Sequence, residues 1–166
     1  MSKRDLKKYL SEINKEQLEE QILDLYARIK EVKQFYDFAF NPKEDKLVEE
    51  CKFKINREYF PAKGRRAKTR RSVAQKCIKK FKQLGVDPPI IIEIMLFNLE
   101  TAQTYSARRK VYDTFYRSMI KSFEELVNYV IENNLQIAYQ EQINKIAEEA
   151  WQQDWINKTA FENLRF

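Results

Sequence analysis

Histidine is absent from the 166 residues, and cysteine and glycine occur only twice each. Without histidine, the chain lacks the commonest general base, the commonest metal ligand and the usual activator of a nucleophilic serine or cysteine. Two glycines and four prolines leave few residues for hairpin turns or phosphate-binding glycine loops. These shortages argue against most hydrolases and against nucleotide-binding motifs. The sequence therefore predicts a protein that is not an enzyme and holds no cofactor or metal.

The two cysteines, Cys51 and Cys77, have no C-x-x-C spacing, so neither a zinc site nor a disulfide framework is predicted. Each falls on the apolar side of a helical pattern and is interpreted as an inert core residue. The first residues, MSKRDLKKYLSEIN, lack the apolar stretch of about 7 to 15 residues that a signal peptide needs, and no run of about 18 apolar residues follows. A cytoplasmic protein that does not span a membrane is expected.

The chain is rich in helix signals instead. Apolar residues recur at helical spacing, as in Leu18, Ile22, Leu25 and Ile29. Capping boxes are predicted for Asn14 with Gln17 and for Ser72 with Gln75. Further helix boundaries are predicted at Ser2, at Asn41 followed by Pro42, at Gly85 and at Asp87.

These signals predict an all-α fold, with residues 1–166 forming a single compact domain of about eight or nine helices. Short connections favour an orthogonal or antiparallel array. The segment 88–105 is apolar around most of its circumference, and it is expected to be the buried helix at the centre.

Several stretches resemble a known family, namely SKRDLKKYL, FNPKEDKLVEE, RRSVAQK, QLGVDP and MLFNLETAQTYS. The resemblance is to an uncharacterised family of small bacterial hypothetical proteins, a domain of unknown function, and it extends over nearly the whole chain. It implies a free-standing domain and carries no activity, substrate or site.

Positive charge is concentrated in one segment. Between Lys52 and Lys82 there are thirteen lysines or arginines and one acid, Glu58, which gives this segment a charge of +12 in a chain of +6. The remaining residues therefore sum to −6. An exposed basic loop is predicted at about 61–71, followed by a helix whose lysines face away from its apolar side.

The basic segment is a candidate site for nucleic-acid phosphates or an acidic partner, and we expect contacts from ten residues: Lys63, Arg65, Arg66, Lys68, Arg70, Arg71, Ser72, Lys76, Lys79 and Lys80. Cations at a helix start are unfavourable for the helix itself, by roughly 0.3 to 1 kcal/mol each. Arginines beside the free amides of a helix start would, however, suit a phosphate. The favoured function is binding to the DNA or RNA backbone without sequence preference.

Other interpretations of the same segment stay open. It is also what a solvated, lysine-rich surface looks like. The main alternative is a protein-interaction module whose basic face binds an acidic protein or another copy of the chain, as in a homo-oligomer. A basic helix lying on an anionic membrane is disfavoured, because residues 73–84 need their apolar side for the core.

Overall fold

A computed structural model describes residues 2–166, and within that range it contains nine helices and no strand, which confirms the predicted all-α class. The chain divides into an N-terminal unit that ends at Lys43 and a C-terminal unit, Glu44–Phe166. The helices are α1 Lys3–Glu12, α2 Lys15–Arg28, α3 Lys30–Phe40, α4 Glu44–Tyr59, α5 Arg71–Leu84, α6 Pro88–Ser106, α7 Asp113–Glu132, α8 Gln136–Gln152 and α9 Lys158–Glu162. A single domain over residues 1–166 stays a prediction.

The N-terminal unit consists of α1, α2 and α3, and none of its described residues is buried. The capping box predicted at Asn14 with Gln17 is present, and the predicted cap Ser2 forms a second capping box with Asp5. Within the unit, the Tyr26 hydroxyl donates a 2.7 Å hydrogen bond to Asp37. Local capping and polar contacts therefore organise these helices more than burial does.

The C-terminal unit is built around α6, as the sequence predicted. Ten residues of this helix are buried, and α6 packs against α4, α5, α7 and α8. A helix with neighbours on most sides needs apolar residues around most of its circumference, which leaves only a narrow exposed edge with Glu93, Glu100 and Thr104. Two polar residues inside it are satisfied: the Gln103 amide donates to the Ile146 carbonyl at 2.7 Å, and the Asn98 side chain accepts from Tyr59 at 3.3 Å.

The contacts of α6 fix the direction of its neighbours. Lys52 of α4 pairs with Glu93 near the start of α6, while Tyr59 at the end of α4 contacts Tyr105 near the end of α6. These two helices therefore run in the same direction, and α5 runs back alongside them and packs against both. Phe115, in the first turn of α7, also contacts Tyr105. The α4–α5 and α6–α7 connections thus lie at one end of this unit.

Helix ends follow the sequence signals in most places. Gly85 ends α5 with a φ of 71°, and the Val86 amide donates back to the Phe81 carbonyl at 3.1 Å. Asp87 is the N-cap of α6, followed by Pro88 at the first position.

Two predicted helix starts are wrong. The helix α4 begins at Glu44 rather than Pro42, with Asn41 ending α3. Ser72 is not the cap of α5, because that helix begins at Arg71 with Arg70 as N-cap. Ser72 lies within the first turn of the helix, and the Gln75 side chain faces α7, where its amide donates a 2.7 Å hydrogen bond to Glu125. A tertiary contact overrides the local signal here.

No helix within residues 2–166 combines the length and apolar character needed to cross a bilayer.

Candidate nucleic-acid interface

The basic loop between α4 and α5 is closed by one residue, Glu58. Its backbone carbonyl accepts hydrogen bonds from the amides of Lys68 at 3.0 Å and Thr69 at 3.2 Å. The turn that reverses the chain has Gly64 at φ 81°, a conformation that a side chain would strain. The loop therefore leaves α4 and returns to it, with Lys63, Arg65, Arg66 and Lys68 all exposed.

The side chain of Glu58 binds Arg70. The guanidinium donates two hydrogen bonds, of 2.9 and 2.8 Å, to the two carboxylate oxygens. This bidentate pair holds the pKa of the Glu58 carboxyl below its usual range. Glu58 is only 14% exposed at its side chain, so the pair is shielded from water on the acidic side.

The Arg71 side chain likewise pairs with an acid, in this case on α7. Its Nε donates a 3.0 Å hydrogen bond to the Ser122 hydroxyl, and its guanidinium forms an ion pair with Glu125. The arginine side chain is 23% exposed. Two carboxylates, Glu58 and Glu125, therefore offset the cost of placing cations at the positive end of α5. Binding of phosphate by Arg70 and Arg71 stays a prediction, but their pairing favours a structural role.

Replacing Arg71 with glutamine is expected to reduce the free energy of unfolding by about 1.5 to 3 kcal/mol, the usual range for hydrogen bonds that involve a charged group. Urea unfolding followed by circular dichroism measures this. Lys76→Gln, an exposed change on the same helix, is the control and should have almost no effect. A structural role for Arg71 would be excluded if its replacement left the stability intact.

The lysines of α5 do not form one continuous surface with the loop. Lys79 lines an open groove of about 570 Å³ together with Glu125 and Glu132, and Lys82 in that groove lies over the Tyr129 ring at 4.0 Å. Lys80 lies beside the two cysteines, on the side that faces α4. Lys76 and Ser72 are exposed. The lysine face that the sequence predicted for α5 is therefore split, with Lys79 toward α7 and Lys80 toward α4.

A second basic loop, missed by the sequence analysis, lies at the same end of the C-terminal unit. It connects α6 to α7 and contains Arg108, Arg109 and Lys110, all exposed. The aromatic ring of Tyr105 joins it to the first loop. That ring lies 5.9 Å from the Phe60 ring, where the first loop begins, and the Arg109 guanidinium lies 5.7 Å from its centroid.

We call the seven cations of these two loops the basic end: Lys63, Arg65, Arg66, Lys68, Arg108, Arg109 and Lys110. Among residues 2–166, none of the seven has an acidic side chain within salt-bridge distance. The N-termini of α5 and α7 and the C-termini of α4 and α6 all lie at this end, so the helix dipoles largely cancel and the side-chain cations set the potential. Like charges that gather without counter-charges favour an anionic ligand.

The run RRK at 108–110 was visible in the sequence, but only three cations occur there, against thirteen in the segment that drew attention. What joins the two loops is the parallel course of α4 and α6, which follows from packing around the buried helix. No group of three or more cysteine, aspartate or glutamate side chains in the described part of the chain is arranged to bind a metal ion.

A comparison with protein families gives a match over nearly the whole chain. The model of a family described as a family of unknown function (DUF6155) matches residues 1–165. This confirms the resemblance to an uncharacterised family over nearly the whole chain. No curated protein and no solved structure matches.

Proposed function

The chain belongs to this family of unknown function, which assigns no activity, and from its own residues we propose that it binds the phosphate backbone of nucleic acid through the basic end. The observation that carries the proposal is the meeting of two exposed basic loops, 60–70 and 107–112, at one end of the C-terminal unit. Seven cations without acidic partners there offer more phosphate contacts than either loop alone.

The chemistry of the basic end suits phosphate. Four of its seven cations are arginines, whose planar guanidinium groups donate paired hydrogen bonds to phosphate oxygens. Binding would release counterions from the nucleic acid, which makes the affinity depend strongly on salt. The contacts fall on the backbone, so we expect little preference for base sequence.

The proposal includes a cytoplasmic location and no catalytic role. Two free thiols, Cys51 and Cys77, are typical of a reducing compartment. DNA and RNA remain equal candidates, since both present the same phosphate groups.

Fluorescence anisotropy of labelled DNA and RNA, titrated with protein at several salt concentrations, tests the proposal. Wild type is expected to give a log–log salt slope near −4 to −6 on duplex DNA, which corresponds to about five to seven phosphate contacts. Two double variants examine the loops separately: Arg65→Glu with Arg66→Glu, and Arg108→Glu with Lys110→Glu. Each should make the slope shallower by about 2 and weaken binding about tenfold or more.

The matched control is Lys7→Glu with Lys8→Glu, which changes the net charge equally on the exposed surface of α1. It should bind as wild type does. Equal losses in all three variants would show that net charge, and not the basic end, determines binding. If wild type does not bind even at low salt, the nucleic-acid proposal fails. Binding of polyglutamate in the same assay would then favour the alternative, an acidic protein partner.

A further inference from the structure

The two cysteines, separated by the whole basic loop in sequence, meet in the fold. Cys51 lies on the core side of α4, one turn before Ile55. Cys77 lies on α5, next to the buried Ile78. The helices α4 and α5 pack against each other, and the two free thiols are neighbours across this contact. The sequence predicted a core position for each cysteine: Cys51 is buried, whereas Cys77 is only partly buried.

The two thiols differ in accessibility. Cys51 is 2% exposed, whereas Cys77 is partly open to solvent. A small oxidant arriving from solvent therefore meets the Cys77 sulfur first, and Cys51 stands behind it. An accessible thiol next to a buried one is the arrangement that redox-sensitive cysteine pairs use.

The surroundings of the pair also favour a thiolate at Cys77. The hydrogen bond from Cys51, followed by the charges of Lys54 on α4 and Lys80 on α5, lowers the pKa of Cys77 to about 7. The same hydrogen bond and burial raise the pKa of Cys51. Cys77 is thus the nucleophile, and Cys51 stays protonated until it attacks the oxidised Cys77 sulfur.

We propose that Cys77 and Cys51 form an oxidisable dithiol that reacts with hydrogen peroxide and closes to a disulfide between α4 and α5. The inference stands apart from nucleic-acid binding, because it concerns the chemistry of the helices and not the charge of the loops. The disulfide would join the two ends of the segment that carries the loop 60–70.

The reaction balances in two steps. The Cys77 thiolate attacks one peroxide oxygen, a sulfur–oxygen bond forms, the oxygen–oxygen bond breaks, and the departing hydroxide takes up a proton to become water. The sulfur of Cys51 then attacks the sulfenic acid, the sulfur–oxygen bond breaks, and the leaving hydroxide combines with the proton that Cys51 gives up. Two thiols and one peroxide yield one disulfide and two waters. A cellular dithiol would reverse the reaction by exchange.

The experiment treats the full-length protein with hydrogen peroxide, removes the peroxide, unfolds the protein in urea so that both cysteines are accessible, blocks the remaining thiols with iodoacetamide and measures the intact mass. Reduced wild type should take up two blocking groups. After oxidation it should take up none, remain monomeric on a non-reducing gel and recover both thiols with dithiothreitol. Cys51→Ser should stop at a sulfenic acid on Cys77 that dimedone traps. Cys77→Ser should slow oxidation of Cys51 by about tenfold or more, because a buried thiol without an activating partner reacts slowly.

Two lysine variants test whether nearby positive charge favours the Cys77 thiolate. The rate of Cys77 alkylation in the Cys51→Ser background should rise with pH through a midpoint, because only the thiolate reacts. Lys80→Gln should move that midpoint to higher pH, and Lys76→Gln, on the same helix but not among the charges that act on Cys77, should leave it in place.

Three results would overturn the proposal: two thiols that persist in peroxide, a disulfide that joins two chains instead of one, or overoxidation of Cys77 with Cys51 still free. None of these depends on whether the basic end binds nucleic acid. Repeating the anisotropy titration with oxidised and reduced protein then shows whether the disulfide alters binding.

Discussion

Replacing Trp155 with alanine is expected to lower the free energy of unfolding by about 3 to 5 kcal/mol, the range for removing a large buried aromatic side chain. Trp155 is 1% exposed. Its ring contacts the rings of Phe115, Tyr116 and Phe161 at centroid distances between 5.3 and 5.8 Å. Alanine would leave a cavity between α7 and α9, which pack against other helices and cannot both move to fill it.

The backbone holds Trp155 in this position. Asp154 adopts a left-handed conformation with φ 52°, and the Trp155 amide donates to the Ala150 carbonyl at 3.0 Å. The end of α8 therefore turns the indole back into the core.

The matched control is Trp151→Ala. Trp151 is 44% exposed and lies under the Lys158 ammonium at 4.6 Å. An exposed cation–π contact contributes about 0.5 to 1 kcal/mol, so this loss should be small. Urea unfolding followed by circular dichroism compares the two variants. Equal losses for both tryptophans would contradict the packing described for Trp155.

Ile92→Ala in the central helix should cost about 2 to 5 kcal/mol of unfolding free energy. Ile92 is fully buried in α6, the helix that packs against four others. Since these neighbours pack on different sides, no single shift can close the space that alanine leaves.

Ile137→Ala is the control, because the same side chain is 96% exposed at the start of α8. Its effect should stay within about 0.5 kcal/mol. Guanidinium unfolding of both variants measures the difference directly. A small loss at Ile92 would mean that α6 is not the centre of the C-terminal unit.

At the candidate site, the sequence predicted the exposed loop cations correctly but could not predict which arginines are paired. The loop cations Lys63, Arg65, Arg66 and Lys68 were predicted to be exposed, and they are. Arg70 and Arg71 have the same sequence signal, yet they pair with Glu58 and Glu125. Nothing local distinguishes the two groups, because Glu125 belongs to a helix more than fifty positions away.

Arg108, Arg109 and Lys110 show the opposite error. They were overlooked because charge was counted along the chain, whereas an approaching phosphate responds to charge in space. The cysteines show the same error, because their proximity is also a property of the fold. Spacing along the chain gave no pairing, and only the packing of α4 on α5 brings Cys51 to Cys77.

The sequence by itself determined the helices and the central position of α6, because helix signals are local and a helix that is apolar around most of its circumference must be largely buried. The absence of histidine and the excess of positive charge are also properties of the sequence. Only the tertiary structure decided which cations are paired, which loops share an end and which thiols touch. These are contacts between residues far apart in the chain, and they depend on the direction in which each helix packs against α6.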